Sequence, residues 1–377
     1  MIDSIHWKLK KEQYKLKERN YFDGVKTQKF YGFTGKVIYC KKYASQLKKQ
    51  NIYFPMLEIA NTQRGLNLNP DELSIQISLG KLLHGSNAFE PKETDLEAIY
   101  QKTILYLKNA GVETSKNELR RAIIQKADFS KMIILPAYLG KANEVILKLT
   151  GFNYKPRAEF DFMQFREGKG LFIRFGNSTQ KYTIYDKISE IFAKGYTKME
   201  NTIIKAVELG EASRSAVKFE LSYLRKDSFE KAMRSRLKIE KKSNFCLEDI
   251  FSLELSKSVL LKSFDAVFES VAVGLISLSE MEENKLLACL ENSKLSQTKQ
   301  IDLFYWVRMA TKNGIAGTWT EIKRKYKGSS VVRKKQEIAL MLQELGQING
   351  NTPNLIDFLR NEHEKFEIIK PRSNPQL

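Results

Sequence analysis

Three short segments carry side chains that could do chemistry together. They are Lys126-Ala127-Asp128-Phe129-Ser130, Thr183-Ile184-Tyr185-Asp186-Lys187 and Lys218-Phe219-Glu220-Leu221-Ser222. Each sets polar groups at i and i+2, the period that puts them on one face of an extended strand. Lys126 then shares a face with Asp128, Tyr185 with Lys187, and Lys218 with Glu220. If the strands are neighbours, one sheet surface gathers a tyrosine, two carboxylates and three lysines. A tyrosine can act as a covalent nucleophile, and carboxylates hold hard divalent cations. A solvated sheet face laced with cross-strand ion pairs has the same spacing, and spacing alone favours that plainer account.

Other chemistries are missing. The chain of 377 residues has His6, His84 and His363 as its only histidines. No Ser/His/Asp order or Cys/His pair points to acyl transfer, and no Gly-x-x-x-x-Gly-Lys-Ser/Thr loop points to a P-loop ATPase. Zinc spacings of the Cys-x-x-Cys or His-x-x-x-His kind are absent. A metal site would be rich in carboxylates, which suits Mg²⁺ or Mn²⁺. Cys40, Cys246 and Cys289 form an odd, widely spaced set. They read as reduced thiols of a cytosolic protein, not as a disulfide framework. No apolar run approaches the roughly 18 residues of a membrane span, and the start of the chain has no apolar signal core.

The elements that must position these residues follow from periodicity. Ile2–Leu9 and residues 35–40 and 54–60 read as strands, and Leu73-Ser74-Ile75-Gln76-Ile77-Ser78-Leu79 alternates as a half-buried strand does. Leu96, Ile99, Tyr100, Ile104 and Leu107 recur at helical spacing over 94–109, with Gly111 just past the end. An extended segment over 119–135 and a helix over 139–149 come next. Strands over 159–165, 171–175 and 182–187 follow, joined by hairpin-like turns. A helix over 188–209 closed by Gly210 and a strand over 216–224 complete the pattern. The order predicts an α+β fold, an antiparallel sheet with helices on one face, with two ferredoxin-like halves as one arrangement. After residue 225 the pattern turns all-helical, over 247–261, 264–278, 280–290 and 297–312.

Lys and Arg number 63 against 44 Asp and Glu, a formal net charge of +19. A surplus of that size asks for a polyanionic partner. It is clustered: Lys8, Lys10, Lys11, Lys15, Lys17 and Arg19 in one stretch, and Lys323, Arg324, Lys325, Lys327, Arg333, Lys334 and Lys335 in another. Tyr14, Tyr21, Phe22, Trp319 and Tyr326 are interleaved, which suits stacking on bases. Neither cluster has the broad apolar face that a membrane-surface helix needs. A helix over 318–326, a Gly turn and a basic helix over 331–345 have the outline of a helix-turn-helix, an outline shared with an ordinary helical hairpin. The expected domains are therefore 1–225, a helical part over 226–345 with the helix-turn-helix at 318–345, and a loosely structured tail over 346–377.

Taken in order, these segments resemble the replication initiators of filamentous phages and related plasmids, the rolling-circle endonuclease family. The resemblance rests on Met1-Ile2-Asp3 and on the 73–79 strand with Ser78, Lys81, Leu83, Gly85, Asn87 and Phe89 after it. The acidic helix start at Glu93–Asp95, the Asp128 strand, Tyr185-Asp186-Lys187 and Val217-Lys218-Phe219-Glu220 follow in the family's order. It spans most of residues 1–225. Departures are Gly85-Ser86-Asn87 where the family has Gly-His-Asn, with a histidine displaced to His84, and Ser74 where a glutamate is expected. The His-hydrophobic-His metal motif of many rolling-circle nickases is absent as well.

The resemblance implies a nickase that cuts one strand of origin DNA and later rejoins it. Tyr185 would attack a phosphodiester, leaving a 3′-hydroxyl primer and a 5′-phosphotyrosine. Lys187 would neutralise the phosphate or lower the phenol's pKa. Asp128 and Glu220, with Glu58 as a further ligand, would hold Mg²⁺ or Mn²⁺. The seven basic residues of 323–335 would bind DNA. Implied partners are double- and single-stranded origin DNA, a host helicase and a host polymerase, in the cytoplasm of a bacterial host and away from membranes. A mobilisation relaxase with the same chemistry, and a non-catalytic origin-binding protein or transcriptional regulator using the C-terminal helices, are the alternatives.

Overall fold

The computed structural model describes the chain apart from residues 19–20, 31–32, 62, 65–66, 69–71, 151–162, 165–170, 177, 214, 269–273, 276–277, 280, 347–354 and 371–377. Most of the strand expected over 159–165, the turn at 167–170 and the Asn69-Pro70-Asp71 turn lie outside the described residues.

One ten-stranded sheet forms the centre. Its strands are β1 (Ile2–Leu9), β2 (Gly24–Phe30), β3 (Phe33–Tyr39), β4 (Met56–Asn61), β5 (Glu72–Ser78), β6 (Ile123–Ile134), β7 (Met163–Gln164), β8 (Leu171–Gly176), β9 (Gln180–Asp186) and β10 (Ala216–Tyr223). The order is β7-β8-β9-β10-β6-β1-β5-β4-β3-β2, antiparallel at each neighbouring pair. The helices that bear on the site are α1 (Leu79–His84), α2 (Leu96–Asn109), α3 (Ala142–Thr150), α4 (Lys187–Lys194), α5 (Lys198–Glu208), α6 (Lys226–Leu237) and α7 (Leu253–Val267). Further along come α8 (Glu283–Glu291), α9 (Gln297–Lys325), α10 (Ser329–Gly346) and α11 (Leu355–Lys365).

Alternation gives the sheet two unlike faces. Trp7, Leu57, Ile75, Ile77, Ile184 and Phe219 point to one side and are buried in a core completed by Tyr100 of α2, Val145 of α3, Phe229 of α6, Phe264 of α7 and Leu359 of α11. Trp7 stacks on Tyr100 with ring centroids 6.0 Å apart. Burying each such side chain contributes about 1.5–3 kcal/mol, so the inward residues hold the strands in register. The opposite face is polar, and α4 and α5 cover one end of it through Ile188, Ile191, Ile203 and Val207, packed against Met132 and Ala216.

The helical part divides differently from the expectation. Helices α6 and α7 belong to the sheet's core, whereas Leu286, Leu290, Leu303, Trp306, Trp319, Ile322, Ile338 and Met341 build a second core from α8, α9 and α10. Gly314 breaks α9 into two arms with φ 65 and ψ 178. The segment expected to be loose includes α11, whose Ile356, Leu359 and His363 are buried on the sheet side. Beyond it, the Lys131 ammonium donates to the Glu367 carbonyl at 2.7 Å and the Ile369 amide donates to Glu90 at 3.3 Å. The stripe Ile356, Leu359 and His363 at i, i+3 and i+7 docks this segment. Among the described residues no helix is long and apolar enough to cross a membrane.

Candidate active site

The register of β9, β10, β6 and β1 assembles the polar face. Tyr185 pairs with Lys218 and Thr183 with Glu220. Glu220 also faces Ser130, and Ser222 faces Asp128. Asp128 in turn faces Ser4 of β1. Asp128, Tyr185, Lys218 and Glu220 thus lie on one surface.

Tyr185 is 8% exposed and packs on Phe172 of β8. Its hydroxyl donates to Glu220 Oε2 at 3.3 Å. The Ser222 hydroxyl lies 3.5 Å from Glu220 Oε1, and the Ser4 hydroxyl donates to Asp128 Oδ2. Burial first, then the charges of Asp3 and Asp128, push the Glu220 carboxyl up to about 7. Burial also raises Asp128, against hydrogen bonds from Ser4 and Ser222 that favour its charged form. The Tyr185 phenol stands well above its ordinary value because it is buried and because Glu220 and Glu190 lie nearby.

Lys187 differs from its predicted place. Strand β9 ends at Asp186, whose carboxylate accepts the Ser189 amide at 3.0 Å and caps α4. Lys187 is therefore the first helical residue, not a strand neighbour of Tyr185. Its ammonium still lies 5.9 Å from the Tyr185 ring. Fully buried, it donates to Glu190 Oε2 at 2.5 Å and Asn87 Oδ1 at 2.6 Å. Burial lowers its pKa despite Glu190.

Lys218 is equally buried and donates to Asp3 Oδ1 at 2.6 Å and to the Asn87 carbonyl at 3.0 Å. Burial alone would lower it, but Asp3 and Glu220 outweigh burial and raise it. Asp3, Asn87 and Glu190 are functional candidates that spacing did not reveal. Asp3 reaches the polar face through a register shift between Ile2 and Ser4, where simple alternation puts it with Ile5 and Trp7. Asn87 lies in the Gly85-Ser86-Asn87 loop and so had a signal in the resemblance.

Glu58 does not join the group. It sits on β4, three strands from Asp128, which is about 14 Å across the sheet at roughly 4.8 Å per strand. One ion cannot bind both. His84 ends α1 with its ring edge-on to Phe89, and His6 lies on β1 opposite Gln76. Among the described residues no group of three His, Cys, Asp or Glu side chains is arranged to hold a metal ion. The donor set fits instead the Mg²⁺ habit of binding through one or two carboxylates with the substrate's phosphate and water completing the shell. Asp128 and Glu220 are the pair available.

The predicted DNA-contacting residues lie on the second arm of α9, the turn after it and α10. Arg324 forms a two-pronged pair with Glu321 at 2.7 and 2.8 Å. Lys325 donates to the Tyr305 hydroxyl at 2.8 Å and covers that ring at 4.1 Å. Lys334 pairs with Asp302 at 2.6 Å, and Lys335 lies 4.0 Å over Trp319. Lys323, Lys327 and Arg333 are exposed and form no ion pair among the described residues.

No family model and no curated protein matches the chain. A solved rolling circle replication initiator protein from Geobacillus stearothermophilus is similar over 62% of this chain and 76% of that chain, at 12% identity and a TM-score of 0.26. A likeness of that strength carries no argument, so a functional reading rests on this chain's own residues.

Proposed function

We propose that the protein nicks one strand of origin DNA through Tyr185 and starts rolling-circle replication. The observation that carries this is the Tyr185 hydroxyl donating to Glu220, a carboxyl held near 7, on a polar sheet face of a strongly basic protein. A phenol near pKa ~10 needs a base to attack at neutral pH, and an acceptor poised near the working pH is the effective kind. Glu220 takes the phenol proton as Tyr185 Oη bonds to phosphorus. The P–O3′ bond breaks, its electron pair leaves on the 3′ oxygen, and that oxygen takes the proton from Glu220. The products are a 5′-phosphotyrosine and a 3′-hydroxyl, and the reverse sequence rejoins the strand.

Lys187 and Lys218 act chiefly by fixing Glu190, Asn87 and Asp3 around the tyrosine, since their ammonium groups are already engaged. Arg174 of β8 is opposite Thr183, its guanidinium 5.2 Å over the Phe172 ring, and forms no ion pair among the described residues. It is the cation suited to meet the phosphate. Mg²⁺ or Mn²⁺, held by Asp128 with the substrate phosphate and water completing its shell, would supply charge neutralisation at the phosphate and leave Glu220 to take the proton.

The test is incubation with a supercoiled plasmid bearing the cognate origin and Mg²⁺ or Mn²⁺. A nick with protein attached to the 5′ end is the expected product. Tight binding with intact plasmid would instead favour an origin-binding protein or regulator.

A further inference from the structure

The second arm of α9, the Tyr326-Lys327-Gly328 turn and α10 have the element order of a helix-turn-helix. Gly328 adopts φ 57, the left-handed conformation a tight turn between helices needs. Trp319 and Ile322 on one helix pack with Ile338 and Met341 on the other, and Trp306 of the first arm closes the core. That packing fixes which side of α10 faces out. Val332, Arg333, Gln336, Glu337 and Leu340 are exposed on one side of α10, and Glu337 is paired with Lys334. Val332 is 57% exposed, an apolar side chain with no core to join.

We infer that α10 is a recognition helix that reads duplex DNA in the major groove through Val332, Arg333 and Gln336, while Lys323 and Lys327 hold the flanking phosphates. The inference takes from the proposed function only that DNA is the partner. Residues in the N-terminal half of such a helix meet base edges. Arginine pairs with guanine O6 and N7, glutamine with adenine N6 and N7, and an apolar side chain covers the thymine methyl. The division of labour follows from the ion pairs. Lys334 is spent on Asp302 and Glu337, Arg324 on Glu321, and Lys325 and Lys335 lie over aromatic rings. Lys325 ties the second arm of α9 to the first, and Lys334 and Lys335 tie α10 to the first and second arms. Arg324 is paired within its own helix, which leaves Lys323 and Lys327 for backbone phosphates and Arg333 for bases.

The experiment is selection from a library of randomised duplex oligonucleotides by the full chain, with bound sequences counted. The expected result is an enriched motif containing adjacent G·C and A·T pairs. Arg333→Ala and Gln336→Ala should each relax preference at one base pair by about 5- to 150-fold, while affinity for unrelated duplex changes little. Lys327→Ala should weaken all sequences alike and lower the slope of log affinity against log salt by about 1. No enriched motif, or an Arg333→Ala protein that loses affinity equally on every sequence, would overturn the inference. All three side chains are exposed, so circular dichroism will distinguish lost contacts from lost fold. Selecting a motif while cutting nothing would retain this inference and defeat the nickase; nicking by a protein that selects no motif would do the reverse.

Discussion

Replacing Glu220 by Gln keeps the side chain's size but removes its charge. In the fold its carboxyl is pushed from an ordinary 4.5 to about 7, first by burial and then by Asp3 and Asp128. That displacement disfavours the ionised form by about 3 kcal/mol. The sign follows from proton counts. Between pH 4.5 and 7 the folded protein keeps a proton that the unfolded chain has released. Stability therefore falls as pH rises through that window, and the full penalty is present above it. A carboxamide at this position never ionises, so near pH 4.5 E220Q should lie about 1 kcal/mol below the parent, the cost of the altered hydrogen bond with Tyr185. At pH 8 it should exceed the parent by about 2 kcal/mol, once about 1 kcal/mol is subtracted for that hydrogen bond. Guanidinium unfolding at several pH values, followed by fluorescence and circular dichroism together, reads the difference. Nicking should fall by about 10²–10⁴-fold in the same variant because the proton acceptor is gone. A variant less stable than the parent at pH 8, or a stability difference that ignores pH, would show that Glu220 is not held protonated by its burial.

Lys187→Met leaves Glu190 near the buried site without its cation and should destabilise by about 3–5 kcal/mol in denaturant unfolding. Adding Glu190→Gln should recover most of that loss. His363 is wedged between Phe219 and Phe264, at centroid distances of 4.6 and 4.8 Å, and burial pulls it from 6.5 to about 4. As pH falls the unfolded chain takes up this proton first. The stability His363 contributes as a neutral ring is full above pH 6.5 and is lost progressively toward pH 4, about 3 kcal/mol in all. His363→Leu should flatten that limb of the pH–stability curve. Chelating divalent cations with EDTA should stop nicking and leave duplex binding by α10 intact, as gel shift and plasmid relaxation together would show.

Local pattern made faces legible but not neighbours. The alternation at Leu73, Ile75 and Ile77 identified β5, and the i, i+2 spacing put Asp128, Tyr185 and Glu220 on the polar side of their strands. Strand order was hidden, because β1, at the start of the chain, enters between β5 and β6, which lie far along the sequence from it. Nothing near Glu58 in the sequence reveals that three strand positions separate β4 from β6. Asp3 was hidden by a bulge, which reverses the face that alternation assigns. Lys187 was misplaced because Asp186-Lys187-Ile188-Ser189 continues a β pattern by composition, while the Asp186 carboxylate stops the strand and starts a helix. The basic stretch at 323–335 was visible as charge. That Lys334 is committed to Asp302 depends on packing between two helices that brings together residues 32 apart in sequence.

Locating the covalent bond decides whether Tyr185 is the nucleophile. The purified protein is incubated with a single-stranded or supercoiled origin substrate and Mg²⁺ or Mn²⁺, digested, and the DNA-linked peptide is sequenced by mass spectrometry. The expected result is a 5′-phosphate ester on Tyr185 and no adduct from Tyr185→Phe. An adduct on another side chain, or a nick made by the Tyr185→Phe protein, would contradict it.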